Sequence, residues 1–182
     1  MRIRSLISTA LAGSAVVAAG LSASAQAPDD HSKHKAVVVL IPTKGSTVAG
    51  TVIFTETAKG TQVKAEVTGL TPGKHGFHIH EYGDASSPDG KAAGGHFNPA
   101  KHPHGDPAKS DPRHVGDLGN LVADQAGKAT YDEVIPHLPL HGENSILGHG
   151  VVVHEKADDF GQPVGNAGGR VAVGVIGIAK GD

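Results

Sequence analysis

The chain is set apart first by what it lacks. Among 182 residues there is no cysteine and no tryptophan, and only 4 Phe and 2 Tyr. Without cysteine the chain can form no disulfide and carry no lipid on a thiol, so packing, hydrogen bonds or metal ions must hold any long loop. Because aromatic residues are so few, the core must be built mainly from Val, Ile, Leu and Ala.

The chain also lacks an excess of positive charge. Its formal net charge is −2, which provides no basic surface for nucleic acid. Residues 1–27 have the three parts of a secretory signal peptide: Arg2 and Arg4, an apolar stretch rich in Ala and Val, and small residues before Ala27. Cleavage there predicts an exported protein without a membrane anchor, whose mature chain carries 14 basic and 18 acidic residues, a net charge of −4.

Turn-forming residues and short apolar runs are abundant. There are 26 Gly and 11 Pro, and no convincing helix of ordinary length. Residues 28–35 are predicted to be a flexible linker, and residues 36–182 one domain. Strands are predicted at residues 36–41, 51–55, 63–68, 76–82, 118–122, 129–135, 151–154 and 170–178. About eight short strands joined by unequal loops predict an all-β, antiparallel sandwich or barrel.

Histidine is the residue in excess. The chain has 13, most of them between His75 and His154. In the strand that contains His78 and His80, alternation places Phe77 and Ile79 toward the core and both imidazoles on the opposite, outward face. The connection from Gly83 to Arg113 has no hydrophobic periodicity that would indicate a helix or a strand, and it is far longer than an ordinary loop. The remaining candidate ligands follow in this loop and beyond it: His96, His102, His104, His114, Asp117 and His154.

These residues fit two metal sites better than one, because a first-row ion rarely takes seven protein ligands. Several separated blocks then resemble the copper/zinc superoxide dismutase family, and the resemblance spans roughly residues 37–179. The blocks are GFHIHEYGD from Gly76, GHFNP from Gly95, HVGDLGN from His114, VHEKADD from Val153, GNAGGR from Gly165 and GVIGIA from Gly174.

The resemblance implies an eight-stranded Greek-key β-barrel with long metal-binding loops and two cofactors, copper and zinc. The copper ligands would be His78, His80, His96 and His154. The zinc ligands would be His96, His104, His114 and Asp117. His96 would thus bridge both ions. Asp158 is similar to a carboxylate that joins a copper ligand to a zinc ligand and fixes their orientation.

The implied reaction is disproportionation of superoxide, a small anion, to dioxygen and hydrogen peroxide by redox cycling of copper. Arg170 would be the cation beside the copper and His96 would carry a proton, so these two are the candidate catalytic residues. Arg170 and Lys156 would attract the anion despite the negative net charge. The sequence leaves the oligomeric state open, with a homodimer as a possible assembly, and the expected location is the periplasm or the extracellular medium.

Two departures from the family pattern carry consequences. The family usually has a disulfide between the long loop and the last strand, but here Ala85 and Val173 leave no thiols. Order in the loop should therefore depend more on zinc. The segment from Asp159 to Arg170 is shorter than in many relatives and lacks their charged guiding cluster.

Other interpretations remain open from the sequence. A non-catalytic copper or zinc protein, a mononuclear cupin or metallohydrolase, and a purely structural β-domain are alternatives. His102 competes with His104 for the zinc. His31 and His34 could bind metal or lie in an ordinary flexible terminus. The remaining histidines are expected to be surface or loop-packing residues, namely His75, His137, His141 and His149.

Overall fold

Nine β-strands run through residues 34–109 and 112–180, the part of the chain that a computed structural model describes. The strands are β1 (Lys35–Pro42), β2 (Ala49–Thr57), β3 (Gly60–Thr68), β4 (Gly73–His80), β5 (Asp117–Ala123), β6 (Ala129–Ile135), β7 (Gly150–His154), β8 (Arg170–Val175) and β9 (Gly177–Ile178). The helical content of these residues is slight, with a single 3-10 turn at Lys91–Ala93. No helix in the described ranges is long and apolar enough to cross a membrane.

The strands form one closed antiparallel barrel. The order around it is β2-β3-β6-β5-β4-β7-β8-β1, and pairing of β1 with β2 closes the ring. The two-residue β9 pairs with the start of β1 beyond β8. Because β3 is not beside β4 and β6 is not beside β7, two connections cross to other parts of the ring, as in a Greek key. The predicted all-β, eight-stranded fold is confirmed.

The core follows the alternation that the sequence predicts. In β3, Val63, Ala65 and Val67 are buried while Lys64 and Glu66 are exposed. Similar inward rows from the other strands surround Phe54 and Phe77, both with no exposed surface. At roughly 1.5–3 kcal/mol for each large apolar side chain removed from water, this core is the main source of stability.

The strand that carries the His-x-His pair differs from its prediction. It begins at Gly73 and ends at His80, so Glu81 and Tyr82 lie outside it. The outward imidazoles do not face solvent, because His78 and His80 are as buried as Phe77 and Ile79. Loops cover the outer face of the strand so closely that a Cβ on Gly76 would lie 2.6 Å from the Cβ of Ala167.

The last predicted strand is also interrupted. Residues 170–178 divide into β8 and β9 because the backbone of Ile176 turns away to the connection between β6 and β7. Its N–H donates to the carbonyl of His149 at 3.0 Å, and its carbonyl accepts from Gly148 at 2.9 Å.

A small apolar cluster lies where the long loop meets the last strands. Ala93, Val152 and Val173 are buried together, and Ala85 packs against them. These are the two positions, Ala85 and Val173, at which the sequence resemblance implies a missing disulfide. Packing therefore joins the loop to the barrel at this point.

Candidate metal centre

Three parts of the fold deliver four imidazoles to one place. Strand β4 supplies His78 and His80, the end of β7 supplies His154, and an antiparallel bridge between His80 and His96 adds the long loop. All four side chains are buried, and one ring nitrogen from each lies within 4.8 Å of the others. We call these residues the imidazole group.

The hydrogen bonds of these rings determine which nitrogen each one presents. The Nδ1 of His80 lies 2.9 Å from the carbonyl oxygen of Gly94, and that of His154 lies 3.3 Å from the carbonyl oxygen of Gly168. Their Nε2 atoms therefore point at each other, 3.3 Å apart. His78 has the opposite arrangement, because its Nε2 contacts Asp158 while its buried Nδ1 has no hydrogen-bond partner. This nitrogen lies among three other imidazoles, and a metal ion bound there would accept its unpaired lone pair.

A second set of donors surrounds one carboxylate oxygen. The Nδ1 atoms of His104, His96 and His114 lie 2.9, 3.1 and 3.2 Å from Oδ1 of Asp117. The other oxygen of Asp117 accepts from the backbone N–H groups of Gly105 and His114, at 3.0 and 3.1 Å. We call His96, His104, His114 and Asp117 the aspartate group. His96 belongs to both groups, so a single ring separates the two potential ion positions.

Asp158 links the two groups from the loop that follows β7. Its Oδ2 lies 2.7 Å from Nε2 of His78, and both its oxygens lie 3.0 Å from Nε2 of His104. The side chain of Asn120 holds the backbone of Asp158 through bonds of 2.8 and 2.9 Å. This carboxylate therefore contacts one ring of each group.

Burial and hydrogen bonding set the charges of these residues. Burial lowers the pKa of His78 to about 4 and that of His154 to about 3, and it also lowers the pKa of His80 and His96. These imidazoles are therefore neutral at neutral pH, the form that binds metal.

The carboxylates have the opposite effect on one ring. Burial alone would lower the pKa of His104, but its hydrogen bonds to Asp117 and Asp158 raise it to about 9. Burial would raise the pKa of Asp117, yet hydrogen bonds from His104, His114 and His96 hold it well below its usual range. Asp117 is thus a carboxylate anion at neutral pH, and can serve as an oxygen ligand.

A cleft of about 540 Å³ leads from solvent to the imidazole group, and His80, His96 and His154 line its floor. Arg170 lies in its wall, where its guanidinium donates to the carbonyl oxygens of Gly90 and Gly94. Lys44 and Lys91 also line the cleft, whereas Lys156 does not. The sequence reasoning missed both lysines because no motif connects them to the histidines.

The structure separates the remaining histidines. His104 is in the aspartate group, whereas His102 is exposed, with its Nδ1 3.2 Å from the carbonyl oxygen of Arg113. His75 is buried rather than at the surface, and its Nδ1 lies 2.8 Å from the carbonyl oxygen of His154, so it supports the backbone of that residue. The ring of His149 packs in the loops against that of Phe97, with ring centroids 3.9 Å apart and planes tilted by 35°. His137 is exposed.

The donor chemistry of both groups fits transition metals. Four neutral imidazoles suit copper, and three imidazoles with one carboxylate suit zinc. Calcium or magnesium would require more oxygen donors. In the aspartate group, the separations of 2.9 to 3.2 Å are close to the roughly 3.3 Å expected between ligands of a tetrahedral zinc ion.

Comparisons with known proteins identify a family for this chain. Residues 48–176 match the family model described as copper/zinc superoxide dismutase. An extracellular copper–zinc superoxide dismutase of Brugia pahangi is 45% identical over 154 residues, which cover 79% of this chain and 76% of the relative. The crystal structure of the clock protein EA4 is similar, with a TM-score of 0.74 and 43% identity over 81% of this chain and 96% of that one.

Proposed function

Because the chain belongs to the copper/zinc superoxide dismutase family, we propose from that premise which of its residues carry out the family's reaction. The protein is an oxidoreductase that converts superoxide to dioxygen and hydrogen peroxide, and its cofactors are copper and zinc. In our proposal the imidazole group holds copper and the aspartate group holds zinc. The unpartnered Nδ1 of buried His78 is the observation that carries this assignment.

Each residue then has a role that follows from its contacts. When bound, copper supplies the change of oxidation state that takes an electron from one superoxide and gives it to the next, while zinc supplies a fixed positive charge. Arg170 attracts and positions the anion beside His80, His96 and His154. Its two hydrogen bonds to backbone carbonyls keep the guanidinium in place, so little ordering is needed when the anion arrives.

His96 is the residue suited to hold a proton. Its Nδ1 faces Asp117 and His114 in the aspartate group, which leaves Nε2 for the imidazole group. We propose that Nε2 takes up a proton in the half of the cycle that releases dioxygen. It gives this proton to the second superoxide in the half that produces hydrogen peroxide, and solvent water supplies the second proton. Asp158 and His75 are positioning residues, because they contact the rings or backbone of the ligands and not the substrate.

The assignment can be tested by locating each metal. Anomalous diffraction at the copper and zinc absorption edges should place copper among the imidazole group and zinc among the aspartate group. His154→Asn should lose copper and the ability to remove superoxide while keeping zinc. His114→Asn should lose zinc more readily than copper. One metal bound at both positions, or copper retained in the His154 variant, would refute the assignment.

We further propose that the protein works outside the cytoplasm, as a dimer. Export is supported by the signal-like residues 1–27, which lie outside the described residues, and by the extracellular relative. The periplasm and the medium are the two expected destinations. Dimerisation is supported by exposed apolar side chains on neighbouring strands of the barrel, namely Val39, Ile41, Ile53, Val175 and Ile178.

A further inference from the structure

A third group of metal-binding side chains lies outside the centre described above. His34, Glu56 and His141 each offer one ligand atom, and the three atoms lie within 4.8 Å of one another. His34 immediately precedes β1, Glu56 is near the end of β2, and His141 is in the connection between β6 and β7. We propose that these residues form an accessory site for a divalent ion of the zinc type.

The geometry already approaches that of a metal site. The Nδ1 atoms of His34 and His141 lie 3.0 and 3.3 Å from the same oxygen of Glu56. In a tetrahedral zinc site with bonds of about 2.0–2.1 Å, neighbouring ligand atoms are roughly 3.3 Å apart. An ion can therefore bind between the three atoms after small side-chain movements, with water completing its coordination.

Burial and backbone contacts fix part of the site in advance. The side chain of Glu56 is only 12% exposed, whereas those of His34 and His141 are 46% and 60% exposed. The backbone N–H of Glu56 donates to the carbonyl of His34 at 3.0 Å, so the first histidine and the carboxylate are held together by the sheet. His141 closes the site from a separate loop, and both rings can be reached from solvent.

The donor set determines the class of ion. Two imidazole nitrogens and one carboxylate oxygen suit zinc, copper and nickel, and are too poor in oxygen for calcium or magnesium. Bound there, the ion would connect the start of the barrel, its first hairpin and the connection from β6 to β7. Since the chain has no cysteine, such a link would tie these segments together as a disulfide does in other exported proteins.

The test is a calorimetric titration of Zn²⁺ into the holoenzyme, whose copper and zinc positions are already filled. The wild-type protein should bind one further Zn²⁺ per chain, and excess Ca²⁺ should not compete. Glu56→Gln and His141→Asn should each weaken this uptake at least tenfold. His137→Asn is the matched control, because it removes an exposed histidine of the same connection and should bind Zn²⁺ as the wild type does.

Superoxide removal should be the same in all these variants. That result would show that the variants are folded and that their catalytic positions are intact. No uptake by the wild-type holoenzyme, or uptake unchanged in both Glu56→Gln and His141→Asn, would overturn the proposal. Uptake lost in His31→Asn but kept in His141→Asn would assign the ion to the N-terminal segment alone and overturn it equally.

Discussion

His78 shows how neighbouring groups decide the role of a single ring. Asp158 occupies its Nε2 at 2.7 Å and leaves its Nδ1 unpartnered. His80 and His154 are held the other way, through Nδ1 to backbone carbonyls. Three rings thus present their free nitrogens to a common point.

The low pKa of His78 predicts that the metal-free protein loses stability in mild acid. The pKa of this ring is 6.5 in the unfolded chain and about 4 in the folded chain. The unfolded chain therefore binds the proton first, and the free energy of unfolding falls as pH declines between those values. At about 1.4 kcal/mol per pKa unit, His78 alone accounts for roughly 3 kcal/mol over the whole window.

Urea unfolding of chelated protein at about pH 7 and about pH 5 measures this loss. His104, with a pKa raised to about 9, is already protonated in the folded chain at pH 7, so it offsets part of this loss between about pH 7 and pH 6 and none of it below. The copper- and zinc-loaded protein is the control, because bound ions leave the ring nitrogens no lone pair for a proton. Equal unfolding midpoints for the chelated protein at the two pH values would contradict the prediction.

Arg170 is predicted to govern capture of the substrate. Its guanidinium is the cation held in the cleft wall beside His80, His96 and His154. Arg170→Gln should slow superoxide removal about tenfold or more, and Arg170→Glu further, because electrostatic attraction of a small anion is lost and then reversed. Copper and zinc content should be unchanged in both variants, since the residue is not a ligand.

Lys91→Gln is the matched control for this experiment. Lys91 also lines the cleft, but it is exposed and pairs with Asp89 at 3.0 Å, so its loss should change the rate much less. Full activity in Arg170→Glu would remove Arg170 from the proposed mechanism.

At the scale of elements, the loop after β7 acts as a connector between the two metal positions. Asp158 contacts His78 on β4 and His104 in the long loop. Asp158→Asn should therefore lower zinc affinity about 10–100-fold, because carboxylates that orient ligands typically have effects of this size. Competition with a chromophoric chelator measures the change.

Asp159→Asn is the control for the same segment. Asp159 is exposed and accepts hydrogen bonds only from Gly161 and Asn166 among the described residues. The substitution should leave zinc affinity unchanged. If the two variants behaved alike, a general effect of charge in the loop would replace the orienting role of Asp158.

Strands in which apolar and polar residues alternate regularly could be predicted from the sequence. Features that depend on contacts between segments far apart in the chain could not. β3 matched its prediction because Val63, Ala65 and Val67 alternate with polar residues. β4 was predicted with a solvent-facing side because nothing local indicates that loops will cover it. The interruption at Ile176 likewise depends on backbone bonds to residues 148 and 149.

The same division holds for the site. The separated histidine blocks indicated the candidate ligands, since their residue types and order are written in the sequence. The choice of ring nitrogen, the buried support from His75, and the presence of Lys44 and Lys91 in the cleft were not predictable. Each of them depends on how segments far apart in the chain meet.

At the scale of the whole molecule, metal ions should have the stabilising role that disulfides have in related proteins. Chelation should lower the melting temperature markedly, because Asp117 and its three imidazoles bring distant segments of the chain together. A reducing agent should have no effect, since there is no cysteine. Differential scanning calorimetry of loaded, chelated and reductant-treated protein tests both statements, and equal melting temperatures for loaded and chelated protein would contradict the first.

The proposed dimer gives a second prediction at this scale. Val39 is 64% exposed and Ile178 is 82% exposed, so a charge at either position should leave the fold intact and weaken association. Sedimentation equilibrium should show a dimer for the wild type and a monomer for Val39→Lys. Glu66→Lys, at an exposed position on β3, should remain dimeric. A monomeric wild type at micromolar concentration would rule the dimer out.

The uneven pairing of strands around the barrel determines where a second chain could add a strand. Several residue pairs join β1 to β2. Among the described residues, β5 and β6 pair only at Ala123 and Ala129, so much of the β6 edge that faces β5 has no strand partner. Such edges are where neighbouring chains add strands and begin to aggregate. Self-association into fibrils would therefore begin at the edge between β5 and β6, and not where β1 and β2 close the ring.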